Sequence, residues 1–121
     1  EIIDALADMN SARALAKIIE LARTGATFEL RERAISALGD SGGEKAISAL
    51  IDLYDAEKSE EVKDRILEAL GDSNQKSALR KLMEVVKSNA SINLKKKALD
   101  RLGDSDDPDA AKFLEELLKK N

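Results

Sequence analysis

The chain has no cysteine, no histidine and no tryptophan, a single proline, and only three aromatic residues, Phe28, Tyr54 and Phe113. Without cysteine there is no disulfide framework, no thiolate metal site and no indication of the redox compartment. Without histidine the chain lacks the commonest nitrogen ligand for metals and the usual imidazole base. A nucleophile would need lysine or a carboxylate as its base. No apolar run approaches the roughly 20 residues that span a bilayer as a helix, so membrane insertion is not expected. The scarcity of rings removes the stacking platforms that single-stranded nucleic acid uses.

What remains is aliphatic and charged. Of the 121 residues 43% are hydrophobic and 36% charged, which fits a core of Leu, Ile, Val and Ala under a strongly solvated surface. The net charge is −4 and the isoelectric point is near 5.0. That balance argues against nucleic acid as a partner, because such binding wants a basic footprint. The locally basic run Lys95-Lys96-Lys97 with Arg101 reads as a solvated helix face. No signal peptide is visible. The chain begins at Glu1 rather than Met, which points to an upstream piece removed and leaves the compartment open.

The most informative feature is a repeat. The tetrapeptide Leu-Gly-Asp-Ser stands at 38–41, 70–73 and 102–105, each time 32 residues on. At the same shift Leu6, Leu38, Leu70 and Leu102 coincide, as do Ala14, Ala46, Ala78 and Ala110. Ile18, Leu50, Leu82 and Leu114 form another column, and Leu21, Leu53, Val85 and Leu117 a further one. The register covers the whole chain in nearly four copies.

Each copy carries two apolar stripes at i, i+3, i+4, i+7 spacing, such as Leu30, Ala34, Ile35, Ala37, Leu38 and then Ala46, Ile47, Leu50, Leu53, Tyr54. That is the period of an amphipathic helix, and strand alternation is absent. The stripes predict first-limb helices over 1–7, 28–38, 60–70 and 92–102, and second-limb helices over 12–24, 43–57, 75–88 and 108–120. Thr27, Ser59 and Ser91 recur one period apart as N-caps of the first limbs. Asp107-Pro108 reads as N-cap and N1 of the last helix. Gly39, Gly71 and Gly103 follow the last apolar residue of each first limb and predict left-handed glycine C-caps, with Asp and Ser satisfying backbone donors in the turn. Helices this short are marginal alone, and stacked neighbours are what make such an array stable.

The 32-residue period, the Ala37-Leu38-Gly39-Asp40 corner, the first-limb stretch from Val62 to Leu70 and the terminal stretch Leu102–Ala110 followed by Phe113–Leu118 resemble the short bacterial HEAT-like repeats. The Trp-Leu-Gly-Tyr pattern of tetratricopeptide repeats and the Thr-Pro-Leu-His motif of ankyrin repeats are missing. The resemblance implies an all-α fold: a right-handed α-solenoid, or α-α superhelix, of about four antiparallel hairpins. It divides the single domain 1–121 into a partial repeat 1–26 and repeats 27–58, 59–90 and 91–121. It also implies a soluble protein of the bacterial cytoplasm or periplasm. Residues 39–70 and 71–102 share nine identities in 32, the drift of a natural array. The start in mid-helix points to part of a longer one.

The acids offer little chemistry by position. Asp40, Asp72 and Asp104 are one repeat apart, and stacked helices are about 8–10 Å apart, whereas a shared calcium or magnesium needs oxygens at about 2.0–2.6 Å. The segment Asp104–Asp109 with Glu115 partly mimics a calcium loop but has proline at its fifth position and lacks the sixth-position glycine. No cofactor and no metal site is expected. Arg31, Lys63, Lys95 and Arg33, Arg65, Lys97 form two basic columns on the first limbs. They read either as a ladder to Glu29, Glu32, Glu61 and Asp64 or as a face for an acidic partner. Asn89-Ala90-Ser91 has the form of a glycosylation sequon, with Ser91 better read as a cap.

These features favour a non-enzymatic scaffold that presents a helical-repeat surface to another protein. In HEAT-like arrays the second limbs line the concave side, so the resemblance assigns partner contact to Arg13, Lys17, Glu20, Lys45, Ala49, Asp52, Lys81, Glu84 and Phe113. Phe113 stands in an otherwise polar column and is expected to be exposed; Tyr54 is expected to be half-buried packing. The alternative is a structural spacer, or a segment that self-associates through its apolar C-terminal helix. Some HEAT-like proteins are pigment lyases, a remote third reading that no residue here carries over.

Overall fold

The computed structural model describes residues 12–41 and 43–120. The helix expected over 1–7 lies outside the described residues. Seven helices follow one another: α1 (Ala12–Thr24), α2 (Phe28–Ser41), α3 (Glu44–Ala56), α4 (Glu60–Ser73), α5 (Lys76–Lys87), α6 (Ile92–Gly103) and α7 (Pro108–Lys120). No strand occurs among the described residues. The first limbs α2, α4 and α6 stack in one layer, and the second limbs α1, α3, α5 and α7 in the other. The first limbs approach one another more closely than the second limbs do. Each of α1, α3 and α5 is covered by the first limb that follows it.

The repeat columns are the core. Ile18, Leu50 and Leu82 are buried, as are Ala14, Ala46, Ala78 and Ala110. From the first limbs come Ile35, Leu38, Ile66, Leu67, Leu70, Ala98 and Leu102. One continuous cluster joins them from Ile18 to Ala110, because no hairpin can bury both of its stripes by itself.

The caps agree with the hydroxyl periodicity. Thr27 Oγ1 accepts from the Leu30 amide at 3.1 Å, Ser59 Oγ from Val62 at 3.4 Å, and Ser91 Oγ from Leu94 at 3.3 Å. Asp107 Oδ1 accepts from the Asp109 amide at 2.8 Å, so α7 starts with an Asp N-cap and proline at N1.

The glycine corners do not behave as the sequence predicts. Gly39 and Gly71 lie inside their helices, which run on to Ser41 and Ser73, and the left-handed cap of α4 is Asn74 at φ 57°. The serines make the extension possible. Ser41 Oγ donates to the Leu38 carbonyl at 3.0 Å, and Ser73 Oγ to that of Leu70 at 2.7 Å. Each satisfies an acceptor that the end of a helix leaves without an intrahelical partner. Ser73 Oγ also accepts from the Gln75 amide, as Ser105 Oγ does from Asp107.

The glycines are there for proximity. A Cβ on Gly39 would stand 2.7 Å from the Ala69 carbonyl oxygen and 2.9 Å from the Ala69 Cβ. A Cβ on Gly71 would collide with the Arg101 side chain. At Gly103 a Cβ would meet nothing. The repeated glycine is therefore a notch that seats the next first-limb helix, and in the last copy the notch is open.

This yields a paired prediction. Gly39→Ala should cost about 1–2 kcal/mol, overpacking against backbone outweighing the gain in helix propensity. Gly103→Ala, with the same gain and no collision, should be neutral or slightly stabilising. Urea melts of the two variants check the contrast.

Candidate functional site

The charged residues divide between the two layers. On the first limbs they are largely spent between repeats. Arg65 of α4 pairs with Glu32 of α2, and Lys97 of α6 lies 3.6 Å from Asp64 and 3.4 Å from Glu68 of α4. Arg101 of α6 pairs with Asp72 of α4, and with Asp104 at 3.6 Å. The Arg101 guanidinium group lies over Gly71, and its buried Nε finds no hydrogen-bond acceptor among the described residues. Of the two basic columns, the one through Arg65 and Lys97 is thus an inter-repeat ladder.

The other column turns inward at two of its members. Arg31 donates through Nε to the Ala22 carbonyl at 2.9 Å and pairs with Glu57, tying the end of α1 and the end of α3 to α2. Burial raises the Glu57 pKa, and the hydrogen bonds from Arg31 and from the Ser59 and Lys58 amides, with the Arg31 charge, together outweigh it and hold the carboxyl below its usual value. Lys63 places Nζ 4.7 Å from the centroid of the Tyr54 ring.

Tyr54 is the centre of a polar cluster in the middle of the array. Its side chain is buried rather than half-buried, and Lys81 Nζ stands 5.3 Å from the same ring. The ring therefore carries one cation from α4 and one from α5, both within cation–π range. Lys81 is only 4% exposed, unlike the solvent-facing position assigned to it from its column. Its ammonium group is gathered in beside the Tyr54 ring by Asp55 and Glu84. Lys81 Nζ donates to Asp55 at 2.7 Å and to Glu84 at 3.0 Å. Burial opposes its charge, and these two carboxylates outweigh the burial, so its pKa lies above the ordinary lysine value.

The remaining candidates on the second limbs are Arg13, Lys17, Glu20, Lys45 and Asp52, all exposed, with Ala49 half-buried and Glu84 exposed beside Lys81. Lys17 and Glu20 form a loose pair at 3.8 Å. Phe113 is half-buried against the core, not exposed, and Lys87 Nζ sits 5.4 Å from its ring centroid. Column reading missed Glu116. It continues Glu20, Asp52 and Glu84 at the same shift, so all four second limbs carry an exposed acid at one position. A shallow groove is lined by Arg80, Met83, Glu84, Lys87 and Ser88.

No group of three or more acids that could hold a metal ion occurs among the described residues. In the segment that mimics a calcium loop, Asp107 caps α7, and Asp107 and Asp109 both accept from Lys76 of the preceding hairpin. No described helix is long and apolar enough to cross a membrane.

Two layers of hairpins in a fixed register, with glycine notches between copies and charge ladders along one layer, define an α-helical repeat protein. Models of HEAT repeats match residues 1–71 and 55–121, which together take in the whole sequence, and the chain belongs to the HEAT-repeat family. The family is generally non-enzymatic, and its arrays are commonly protein-interaction scaffolds. Comparison with curated proteins finds no match.

The cluster at Lys81 generates a stability prediction. Lys81→Met keeps the buried stem and should cost less than about 1.5 kcal/mol. Lys81→Glu places an unpaired charge in the same site beside Asp55 and Glu84 and should cost about 3–5 kcal/mol. Because the folded pKa is raised, the stabilisation is complete below the unfolded lysine value of about 10.4 and is withdrawn as pH climbs through the folded one. Denaturation against pH should show this alkaline loss in the wild type and a smaller loss in Lys81→Met.

Proposed function

We propose that the chain is a non-enzymatic protein–protein interaction scaffold whose partner contacts the solvent-facing side of the second limbs, the concave side of the array. The observation that carries this reading is the difference between the layers. First-limb cations such as Arg65, Lys97 and Arg101 are engaged with acids of neighbouring repeats. The second limbs hold out Arg13, Lys45, Asp52 and the acidic column through Glu116. A face of mixed sign selects its partner by charge complementarity more than by apolar area. Arg13, Lys17, Glu20, Lys45, Ala49, Asp52 and Glu84 are the proposed contact residues. Phe113 contributes from beside Lys87, and Lys81 acts through the Glu84 carboxylate that it holds.

The test is affinity capture from lysate with the wild type and with Arg13→Glu, Lys17→Glu and Lys45→Glu combined. All three side chains are exposed, so the melting temperature should hold while the captured proteins are lost. Capture that survives the triple reversal removes the second-limb assignment.

A further inference from the structure

The shallow groove on α5 is positively charged in an acidic chain. It runs from Arg80 to Ser88, has a volume of about 530 Å³ and a mostly apolar lining, and takes in the half-buried Met83. Arg80 and Lys87 are both exposed, and neither has a carboxylate partner among the described residues. The Glu84 carboxylate in the same groove already accepts from Lys81 at 3.0 Å. One repeat earlier the Lys87 position is Asp55, which takes up the Lys81 ammonium group. A repeat further on, both members of that bridge are exchanged. Lys87 stands in place of the acid and Phe113 in place of the lysine, with the Lys87 Nζ 5.4 Å from the ring centroid. The exchange leaves two cations without an acid beside an apolar surface, in a chain whose net charge is −4.

We propose that this groove docks an acidic amphipathic helix of a partner protein, with two carboxylates two turns apart and a leucine-like side chain between them. Arg80, Met83 and Lys87 share one helix face at i, i+3 and i+7, and the two cations are about 10 Å apart along the axis. A helix laid along α5 repeats that spacing, so its carboxylates meet Arg80 and Lys87 while its apolar side chain lies on Met83. In an extended segment, residues three apart span about the same distance but point to opposite faces, and only one carboxylate would engage. Charge selects the class of partner. The cations are local and the chain around them is acidic, which disfavours a polyanion such as nucleic acid and favours a short acidic segment. The proposal rests on the second-limb reading and names the chemistry of the partner there.

The probe is a labelled, alanine-based helical peptide with two glutamates seven residues apart and two adjacent leucines midway between them. It is titrated into the full chain by fluorescence anisotropy. Saturable binding is expected. Arg80→Glu and Lys87→Glu combined should weaken it about tenfold. Both sites are exposed, so circular dichroism should not change. A peptide with lysine in place of both glutamates should bind the double variant and not the wild type. A peptide with alanine in place of the leucines should bind the wild type about tenfold less tightly. Absent binding, or binding indifferent to the double reversal or to the loss of the leucines, overturns the proposal. A short single-stranded oligonucleotide that binds as tightly as the peptide also overturns it. So does a dimer in light scattering that the double reversal dissociates, by assigning the groove to a second copy. The peptide is measured on the pure chain, so its binding and the lysate capture fail separately. Capture lost in the Arg13, Lys17 and Lys45 reversal, with no peptide bound by the wild type, removes this proposal and leaves the broader reading standing. Peptide bound while capture survives that reversal removes only the broader assignment of contact residues.

Discussion

A helical hairpin with an apolar stripe on each limb has more surface to bury than its two helices can cover, and everything else in this molecule follows from that shortfall. The second limb of one copy needs the first limb of the next, so folding and stacking are the same event. Leu50 and Leu82 reach complete burial only because α4 and α6 lie across them. The glycine notch serves the same requirement in the other layer. It lets α4 approach α2 until Ala69 lies on Gly39, a distance at which a side chain on the lower helix would clash. Stability is then close to a sum over nearest-neighbour interfaces.

The charges follow the same logic with a different outcome on each face. Where first limbs are close, acids and bases of adjacent repeats meet and neutralise one another, as in the run from Glu32 through Arg65 to Glu68 and Lys97. Where second limbs stand further apart, side chains at equivalent positions do not reach each other and remain in water. Two lysines of α5 depart from this: Lys76 bridges to Asp107 and Asp109 at the start of α7, and Lys81 is drawn in beside Tyr54 of the preceding copy.

The period was enough to read the fold, because burial in a solenoid repeats with the sequence: seven of the predicted helices coincide with observed ones to within a few residues at their ends, and all three hydroxyl N-caps are made. Two readings needed coordinates. Gly39 and Gly71 follow the last apolar residue of a stripe, which in sequence looks like a C-cap; the contact that explains them lies 30 residues further on, in a helix that local rules do not consult. Lys81 shares a column with exposed Lys17, and column averaging hides that Tyr54 replaces Ala22 in the neighbouring position. Partner contact on the second limbs is not a packing property, and the core columns carry no record of it.

Tyr54 has one more consequence. It is the sole tyrosine in a chain without tryptophan, and it lies in the central hairpins under two lysine ammonium groups. Near-ultraviolet absorbance and intrinsic fluorescence above the phenylalanine band therefore come from a single place in the middle of the array. Far-ultraviolet dichroism averages over every helix. The sequence thus contains its own local reporter, and the interval between the two signals on denaturation measures how far the other hairpins open before the one that holds Tyr54.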